Sequence, residues 1–317
     1  MQKRKPVHKT LLIILIAFSA LAGDVLSAKA NYHIAVIYPD VRKPFNTFFE
    51  NITEGMKLRQ ENNITIWPVP KTETPEAMST WLQNTKPDAV ILLGTEFKQF
   101  NKQLKGPFKL IYGASFFSRN HFEQGKAGIS ITPEPSILFK RLKKMAPQVT
   151  EINVVYHELT NGWLIDSAQV VAKELNLKLN KHPVENIKQA ALTYKQIIEN
   201  SSSPTKALWL LQHDPTLDEK SLLPRILADA WEHETIVFSS NPRHVKRGAL
   251  FSSLPDNKQL GKDLVQKAID ILHGKNNNLE PMRSTLMVAN KRTAKHLSLS
   301  ADYFSEDDFT VIYPREK

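Results

Sequence analysis

The chain has 317 residues, 41% of them hydrophobic and 23% charged, which is typical of a globular protein long enough for about two domains. It contains no cysteine, so disulfides, thiolate metal sites and a lipid anchor attached through cysteine are excluded. The net charge is +10, but lysines and arginines are mixed with acidic residues instead of clustering with aromatic ones, so no nucleic-acid partner is expected.

The N-terminus has the pattern of an export signal. Residues 1–10 are basic, residues 11–23 ("LLIILIAFSALAG") are apolar, and Ala28 and Ala30 flank Lys29 in the small-x-small pattern that signal peptidase requires. The apolar run is short for a membrane span. We therefore predict a signal peptide over residues 1–30, cleaved after Ala30 or after the competing Ala28, and a soluble mature chain in the periplasm without a lipid anchor.

Short apolar runs alternate with helical patterns through the first half of the chain. Phe45, Phe48, Ile52 and Met56, for example, share one face of a predicted helix. Strands are predicted at 33–39, 64–70, 89–94 and 108–114, and helices at 44–62, at 74–86 and from Glu96. This βαβα order predicts a mainly parallel sheet with helices on both faces.

The second half restarts the same scheme after an amphipathic helical segment at 139–147. Strands are predicted at 152–157, 177–184, 206–213 and 235–240, and helices at 162–176, 186–201 and 217–233. Pro224 is expected to kink the last helix or to mark its late start. The segments 284–300 and 307–314 add a strand and a short helix that the pattern does not assign to either half.

The two halves form an architectural repeat. "IAVIY" at 34–38 matches "INVVY" at 152–156, and each is followed by a helix and another strand. Two similar α/β lobes explain the repeat. We expect residues 31–130 to form the first lobe, residues 131–252 the second, and residues 253–317 to cross back and complete both, with hinges within 128–147 and 252–255.

In open parallel sheets, ligands bind beyond the carboxyl ends of the strands. Polar, aromatic and small residues follow the predicted strands at these ends in both lobes. The candidate ligand-binding residues are Tyr38, Asp40, Thr95, Glu96, Ser115 and Phe116 in the first lobe, and His157, Glu158, His213, Asp214, Ser240 and Asn241 in the second. The alternative is that these residues are polar only because loops are polar.

The candidates divide by chemistry. Acidic groups are expected to receive a ligand ammonium: Asp40, Glu96, Glu158 and Asp214. Hydroxyl, amide and backbone donors are expected to receive a carboxylate: Ser115, Ser240 and Asn241. Tyr38 and Tyr156, which end the two matched strands, are expected to face each other across one ligand, with aromatic rings supplying contact area.

Enzyme motifs are absent from the sequence. There is no phosphate-binding glycine loop, no Gly-x-Ser-x-Gly and no His-Glu-x-x-His, so no catalysis, metal or cofactor is expected. His213 and Asp214 are the pair most similar to a catalytic dyad. The side chains of adjacent residues rarely face each other, however, which favours a binding or capping role. The basic stretch 241–248 ("NPRHVKRG") either holds a carboxylate or phosphate or is an exposed hinge loop.

Four blocks carry a family resemblance across most of the chain. They are "PDAVILLGT", "AGISITPEPSILFKRLKKMAPQVTEINVVYH", "HVKRGALFSSLPDNKQLGKDLVQKAIDILHGK" and "VANKRTAKHLSL". In this order and spacing, the chain resembles the periplasmic substrate-binding proteins of ABC transporters, in the group that includes tryptophan and tyrosine uptake binders. Where that family often has Asp-Asn, this chain has His213 and Asp214, and Thr95 and Glu96 stand in place of small polar residues, so ligand identity does not carry over.

The resemblance implies two Rossmann-like lobes with parallel sheets flanked by helices, and a ligand cleft between them that closes on binding. It implies a monomer that captures a small polar or aromatic, amino-acid-like solute and delivers it to ABC permease subunits. The alternative partner is a membrane sensor protein, a kinase or cyclase to which the same fold reports ligand occupancy. A secreted hydrolase is a third reading, disfavoured because no nucleophile motif is present.

Overall fold

The computed structural model describes residues 31–94, 104–123, 125–200, 204–275, 277–300 and 308–314. The predicted signal peptide and the predicted helix from Glu96 lie outside the described residues. Within them the protein is an α/β fold of two lobes, each with a parallel sheet flanked by helices, as the sequence predicts.

The first lobe is built on a six-stranded sheet in the order β11-β5-β4-β3-β1-β2, with every pairing parallel. Its strands are β1 (His33–Pro39), β2 (Asn63–Val69), β3 (Ala89–Leu93), β4 (Lys109–Ser115), β5 (Ala127–Pro133) and β11 (Leu279–Met282). Its helices are α1 (Asn46–Lys57), α2 (Pro75–Thr85), α3 (Arg119–Glu123) and α9 (Asn257–Leu272). Strand β1 lies inside the sheet, between β3 and β2, and is buried on both faces, which explains its continuous apolar run.

The second lobe contains a four-stranded parallel sheet in the order β7-β6-β8-β9. Its strands are β6 (Glu151–Tyr156), β7 (Lys178–Pro183), β8 (Lys206–Leu210) and β9 (Ile236–Ser239). A smaller sheet lies beside it in the order β10-β12-β13: β10 (Phe251–Pro255), β12 (Thr285–Asn290) and β13 (Val311–Tyr313). The helices are α4 (Pro135–Met145), α5 (Glu158–Glu174), α6 (Ile187–Glu199), α7 (Leu222–Glu232), α8 (Arg243–Arg247) and α10 (Lys291–His296).

Several elements differ from the sequence prediction, and one settles an alternative in it. Helix α7 begins at Leu222, so Pro224 lies in its first turn and the late start is confirmed. Helix α5 begins at Glu158, four residues before the predicted 162. Strand β5 was not predicted as a strand, because its segment was interpreted as part of a hinge.

The chain crosses between the lobes three times, after β5, after β10 and between β11 and β12. Hydrogen bonds tie the crossings together. Glu134 N donates to Met282 O at 2.9 Å, and Asp256 N donates to Ser284 O at 2.9 Å. Arg283 Nε also donates to the Glu134 carboxylate at 2.7 Å. The crossing after β5 lies inside the expected hinge 128–147, and the crossing after β10 directly follows the expected hinge 252–255. The domain boundaries proposed from the sequence stay a prediction.

Helices α1 and α9 pack against each other in the first lobe at two glycines. A Cβ atom at Gly261 would lie 2.0 Å from Ile52 O, and one at Gly55 would lie 1.9 Å from Lys258 O. Only glycine allows the two backbones to approach this closely. The segment that returns from the second lobe is thereby fixed onto the first.

Candidate ligand site

The rims formed by the carboxyl ends of the strands in the two lobes meet at an aromatic contact. Phe116 follows β4 in the first lobe, and His213 lies beyond β8 in the second. Their rings are stacked, with centroids 4.4 Å apart and planes 11° from parallel. Two residues predicted as site candidates on separate lobes are thus brought together.

Unusual backbone conformations lie on both sides of this contact. Ala114 has φ 52° and His213 has φ 55°, a left-handed region that non-glycine residues adopt at a cost. At Ala114, the pairing of β4 with β5 shifts register between Gly113 and Ser115, as at a bulge. A bulge re-aims the residues that follow it, here Ser115 and Phe116.

Ser115 carries a hydroxyl that lacks a partner among the described residues. The residue is only 2% exposed, and its Oγ atom makes no hydrogen bond in that part of the structure. Its carbonyl oxygen accepts a hydrogen bond from Ser130 Oγ at 3.2 Å. Buried polar groups nearly always have a partner, so an orphaned hydroxyl beside Phe116 is a candidate donor or acceptor for a ligand.

The carboxylate of Asp214 is surrounded by donors from its own lobe. Oδ2 accepts hydrogen bonds from His157 N at 2.9 Å and from Asn161 Nδ2 at 2.8 Å. Oδ1 accepts from Thr216 N at 2.9 Å and from Thr216 Oγ1 at 2.6 Å. Asp214 therefore ties the first residues of α5 to the loop after β8. It is hydrogen-bonded to these groups, while His213 stacks on Phe116.

The end of β9 holds a second buried network. Asn241 Nδ2 donates to Glu219 Oε1 at 2.8 Å and to His244 Nε2 at 3.2 Å. Because Nε2 accepts, the His244 proton lies on Nδ1 and is donated to Ser239 Oγ at 2.9 Å. Burial lowers the pKa of His244, although Glu219 opposes this shift. Beside this network, Ser240 Oγ accepts from Trp209 Nε1 at 2.9 Å.

Charged and polar contacts also join the lobes close to Phe116. Arg119 Nη2 donates to Glu158 Oε1 at 2.7 Å and to Asp166 Oδ2 at 2.9 Å. These hydrogen bonds, the one to Asp166 first, raise the pKa of the Arg119 guanidinium. The indole of Trp163 donates to Phe117 O at 3.0 Å. Sequence reasoning found Glu158 but missed Arg119, Trp163 and Asp166, since no pattern marks a contact between segments this far apart.

Tyr38, Asp40 and Tyr156 lie at strand ends of their own lobes. Tyr38 stacks on Phe49, with centroids 5.4 Å apart, and burial raises its pKa. Asp40 is exposed. Burial and a hydrogen bond to Glu158 raise the pKa of Tyr156 to about 12. The expected meeting of Tyr38 and Tyr156 across a ligand stays a prediction, and Thr95 and Glu96 lie outside the described residues.

Two general properties bear on the site. Within the described ranges, no three His, Asp or Glu side chains lie together as metal ligands would. No helix among the same residues is both long and apolar enough to pass through a bilayer.

Comparison with known proteins places this geometry in context. The model of the family described as "ABC transporter substrate binding protein" matches residues 137–302. No curated protein sequence matches the chain.

Solved structures with the same fold cover nearly the whole chain. One is a substrate-binding protein with adhesive properties from Clostridium difficile, solved ligand-free and open (TM-score 0.62, 15% identity, 90% of this chain and 100% of that one). A second is an ABC domain from Streptococcus pneumonia in complex with L-tryptophan (TM-score 0.52, 16% identity, 89% and 100%). A third is a conserved domain protein from Vibrio cholerae (TM-score 0.51, 18% identity, 89% and 100%). At these identities the similarity shows the fold alone.

Proposed function

The chain belongs to the family of ABC transporter substrate-binding proteins, with the type I periplasmic-binding fold, and we propose that it captures a small polar or aromatic, amino-acid-like solute between its two lobes. The capture takes place in the periplasm, and the solute is then delivered to the permease subunits of an ABC importer. The observation that carries this proposal is the contact of Phe116 with His213, because it joins the strand ends of both lobes where ligands of parallel sheets bind.

The mechanism follows from the position of these rims. Separation of the lobes breaks the Phe116–His213 contact and exposes both rims to solvent. A solute that touches both rims binds the closed form more tightly than the open form, and this difference in affinity drives closure. No bond is made or broken, so the cycle needs only capture, closure and release.

The chemistry of the rims supports an amino-acid-like ligand. Phe116 and His213 supply planar contact area, and the Ser115 hydroxyl is available as a hydrogen-bond partner. The carboxylate of Glu158 is half exposed, and it can receive a ligand ammonium when its ion pair with Arg119 opens. A ligand carboxylate would meet the hydroxyl of Ser240, whereas the Asn241 amide already donates to Glu219 and His244.

The test is a thermal-shift screen of the purified chain against amino acids, peptides, purines and organic anions, followed by calorimetry on each hit. A cleft ligand raises the melting temperature by mass action. Phe116→Ala and His213→Ala should weaken the hit, whereas Leu192→Ala, an exposed apolar side chain on α6, should not. Two outcomes would contradict the proposal: a ligand that binds both rim variants as tightly as the parent chain, or a panel without any hit.

A further inference from the structure

Helix α7 has apolar side chains on two different faces. One face is buried in the core of the second lobe through Leu222, Leu223, Ile226 and Ala230. The other face carries Pro224, Leu227, Ala228 and Trp231, at the i, i+3, i+4, i+7 spacing of a single helical stripe. Leu227 is partly buried against the same core, whereas Pro224 and Ala228 are exposed. A surface helix needs only one apolar stripe to face its core, so the second stripe calls for another explanation.

The second stripe forms the floor of a groove of about 1070 Å³. The facing wall comes from α8, from the start of α10 and from the end of β13, and it carries Lys246, Arg247, Arg292 and Tyr313. Among the described residues that line the groove, none is acidic. None of the salt bridges between described residues involves Lys246, Arg247 or Arg292, so within the described part of the chain these three charges have no acidic partner.

The indole at one end of the groove is held rigidly. The Trp231 ring stacks on His296, with centroids 3.6 Å apart and planes 6° from parallel, and Trp231 O accepts a hydrogen bond from His296 Nε2 at 2.9 Å. The guanidinium of Arg292 lies 5.3 Å from the centre of the indole. Trp, Tyr and Arg are the residues that dominate binding energy in protein interfaces, and a fixed side chain loses little entropy on binding.

We propose that this groove docks an acidic segment of another protein, helical and apolar on the face that meets α7. The apolar floor fits the helix-in-groove mode of recognition, and the basic wall selects Asp and Glu on the partner. The groove is far larger than a small inorganic anion requires, and its concave shape does not match a flat lipid surface. The site is separate from the strand-end rims, so this inference goes beyond solute capture.

Fluorescence anisotropy of labelled peptides tests the groove on the full chain. The probe is an amphipathic peptide of Glu and Leu at helical spacing, and its matched control has Lys in place of every Glu. We expect the acidic peptide to bind and the basic one to bind at least about tenfold more weakly. Arg247→Glu combined with Arg292→Glu should weaken binding of the acidic peptide by a similar factor. Arg225→Glu, which lies on α7 outside the groove lining, should leave the affinity unchanged.

A second variant separates loss of the groove from loss of the fold. Trp231→Phe keeps a ring on His296, so it should retain a melting temperature close to that of the parent and still bind the acidic peptide more weakly. Trp231→Ala, which removes the stack, should weaken the peptide further. Equal binding of both peptides, or binding unaffected by the charge reversals, overturns the proposal. So does complete competition by inorganic phosphate, or tighter variant-sensitive binding to phosphatidylglycerol vesicles, since these outcomes indicate an anion site or a membrane surface.

Discussion

The ring of Phe116 in the first lobe lies parallel to the imidazole of His213 in the second, with 4.4 Å between their centroids. The two residues are far apart in sequence, and each is positioned by a left-handed residue, Ala114 before Phe116 and His213 itself. The contact makes the strand ends of two separate sheets a single surface. Its strength therefore contributes directly to the balance between open and closed lobes.

Removing the Phe116 ring should shift the unliganded chain toward the open form. A stacked aromatic pair contributes about 0.5–1.5 kcal/mol, which changes the closed-to-open ratio roughly two- to tenfold. Because the chain has no cysteine, Lys57→Cys and Lys195→Cys provide unique dye positions on the two lobes. Phe116→Ala should lower energy transfer between the dyes, and Leu192→Ala should leave it unchanged. Equal transfer in both variants would show that the stack does not hold the lobes.

Loss of Arg119 should remove a salt-dependent contribution to closure. Its guanidinium and the two carboxylates are 34%, 49% and 64% exposed, so solvent limits each pair to about 0.2–1 kcal/mol. Energy transfer in the parent chain should fall as salt rises from about 0.05 to 0.5 M, and Arg119→Ala should lose most of that response. Arg225→Ala, which breaks an ion pair within the second lobe, is the control. A salt response that survives in Arg119→Ala would refute this role.

Asp214→Ala should destabilise the second lobe. The change leaves buried donors of His157, Asn161 and Thr216 without an acceptor, at about 1–3 kcal/mol for each group left unsatisfied. We expect a loss of at least about 3 kcal/mol in the free energy of unfolding, measured with denaturant, and a smaller loss for Asp214→Asn. The exposed Asp40→Ala should change stability by less than about 0.5 kcal/mol. If Asp214 instead receives a ligand ammonium, Asp214→Asn will weaken the ligand at unchanged stability.

Acidification should destabilise the protein through buried histidines. Burial lowers the pKa of His244 and of His182 in the folded state, so the unfolded chain binds more protons below its own histidine pKa of about 6.5. The contribution of the neutral imidazoles to the free energy of unfolding is complete above that pH and is lost as the pH falls below it. Protonated His244 would direct a second N–H, on Nε2, toward the amide nitrogen of Asn241, which is itself a donor. Melting temperatures between pH 5 and 8 should show the decline, and His244→Gln should reduce it to the part that His182 contributes. His233→Gln, which removes an exposed imidazole, should reproduce the parent slope.

A methyl group at Gly261 should weaken the first lobe. Its position, 2.0 Å from Ile52 O, forces α9 away from α1, and overpacking of this kind costs about 1–3 kcal/mol. Gly261→Ala should lower the midpoint of denaturant unfolding, whereas the neighbouring Lys262→Ala should have little effect. A midpoint equal to that of the parent would show that the helices separate without penalty.

Strands β1 and β6 were predictable from sequence because both faces of each are buried. Ile34 and Ala35 in β1 pack into two different cores, as do Val154 and Val155 in β6, and such burial gives the continuous apolar run of an interior parallel strand. The start of α5 was not predictable. Its first residues are polar, and the side chain that accepts from His157 N is Asp214, which arrives from a distant loop.

The candidate site was predictable in its members but not in its contacts. The strand-end rule selects Phe116 and His213 separately, because each follows an apolar run. Nothing local shows that their rings stack, or that Arg119 reaches Glu158 and Asp166. Such contacts depend on the relative position of the two lobes, which three chain crossings determine together.

Those crossings also set an order of assembly. The sheet of the second lobe comes from one continuous stretch that ends with β9 at Ser239, whereas the first lobe needs α9 and β11, made after residue 256. A chain that emerges with its N-terminus first can complete the later sheet while the earlier one still exposes β5 as an unpaired edge. Such edges are prone to aggregation, so we expect the N-terminal half to be the more aggregation-prone part of the chain during synthesis. Of the two larger sheets, the one that begins first along the chain is therefore the one that is completed last.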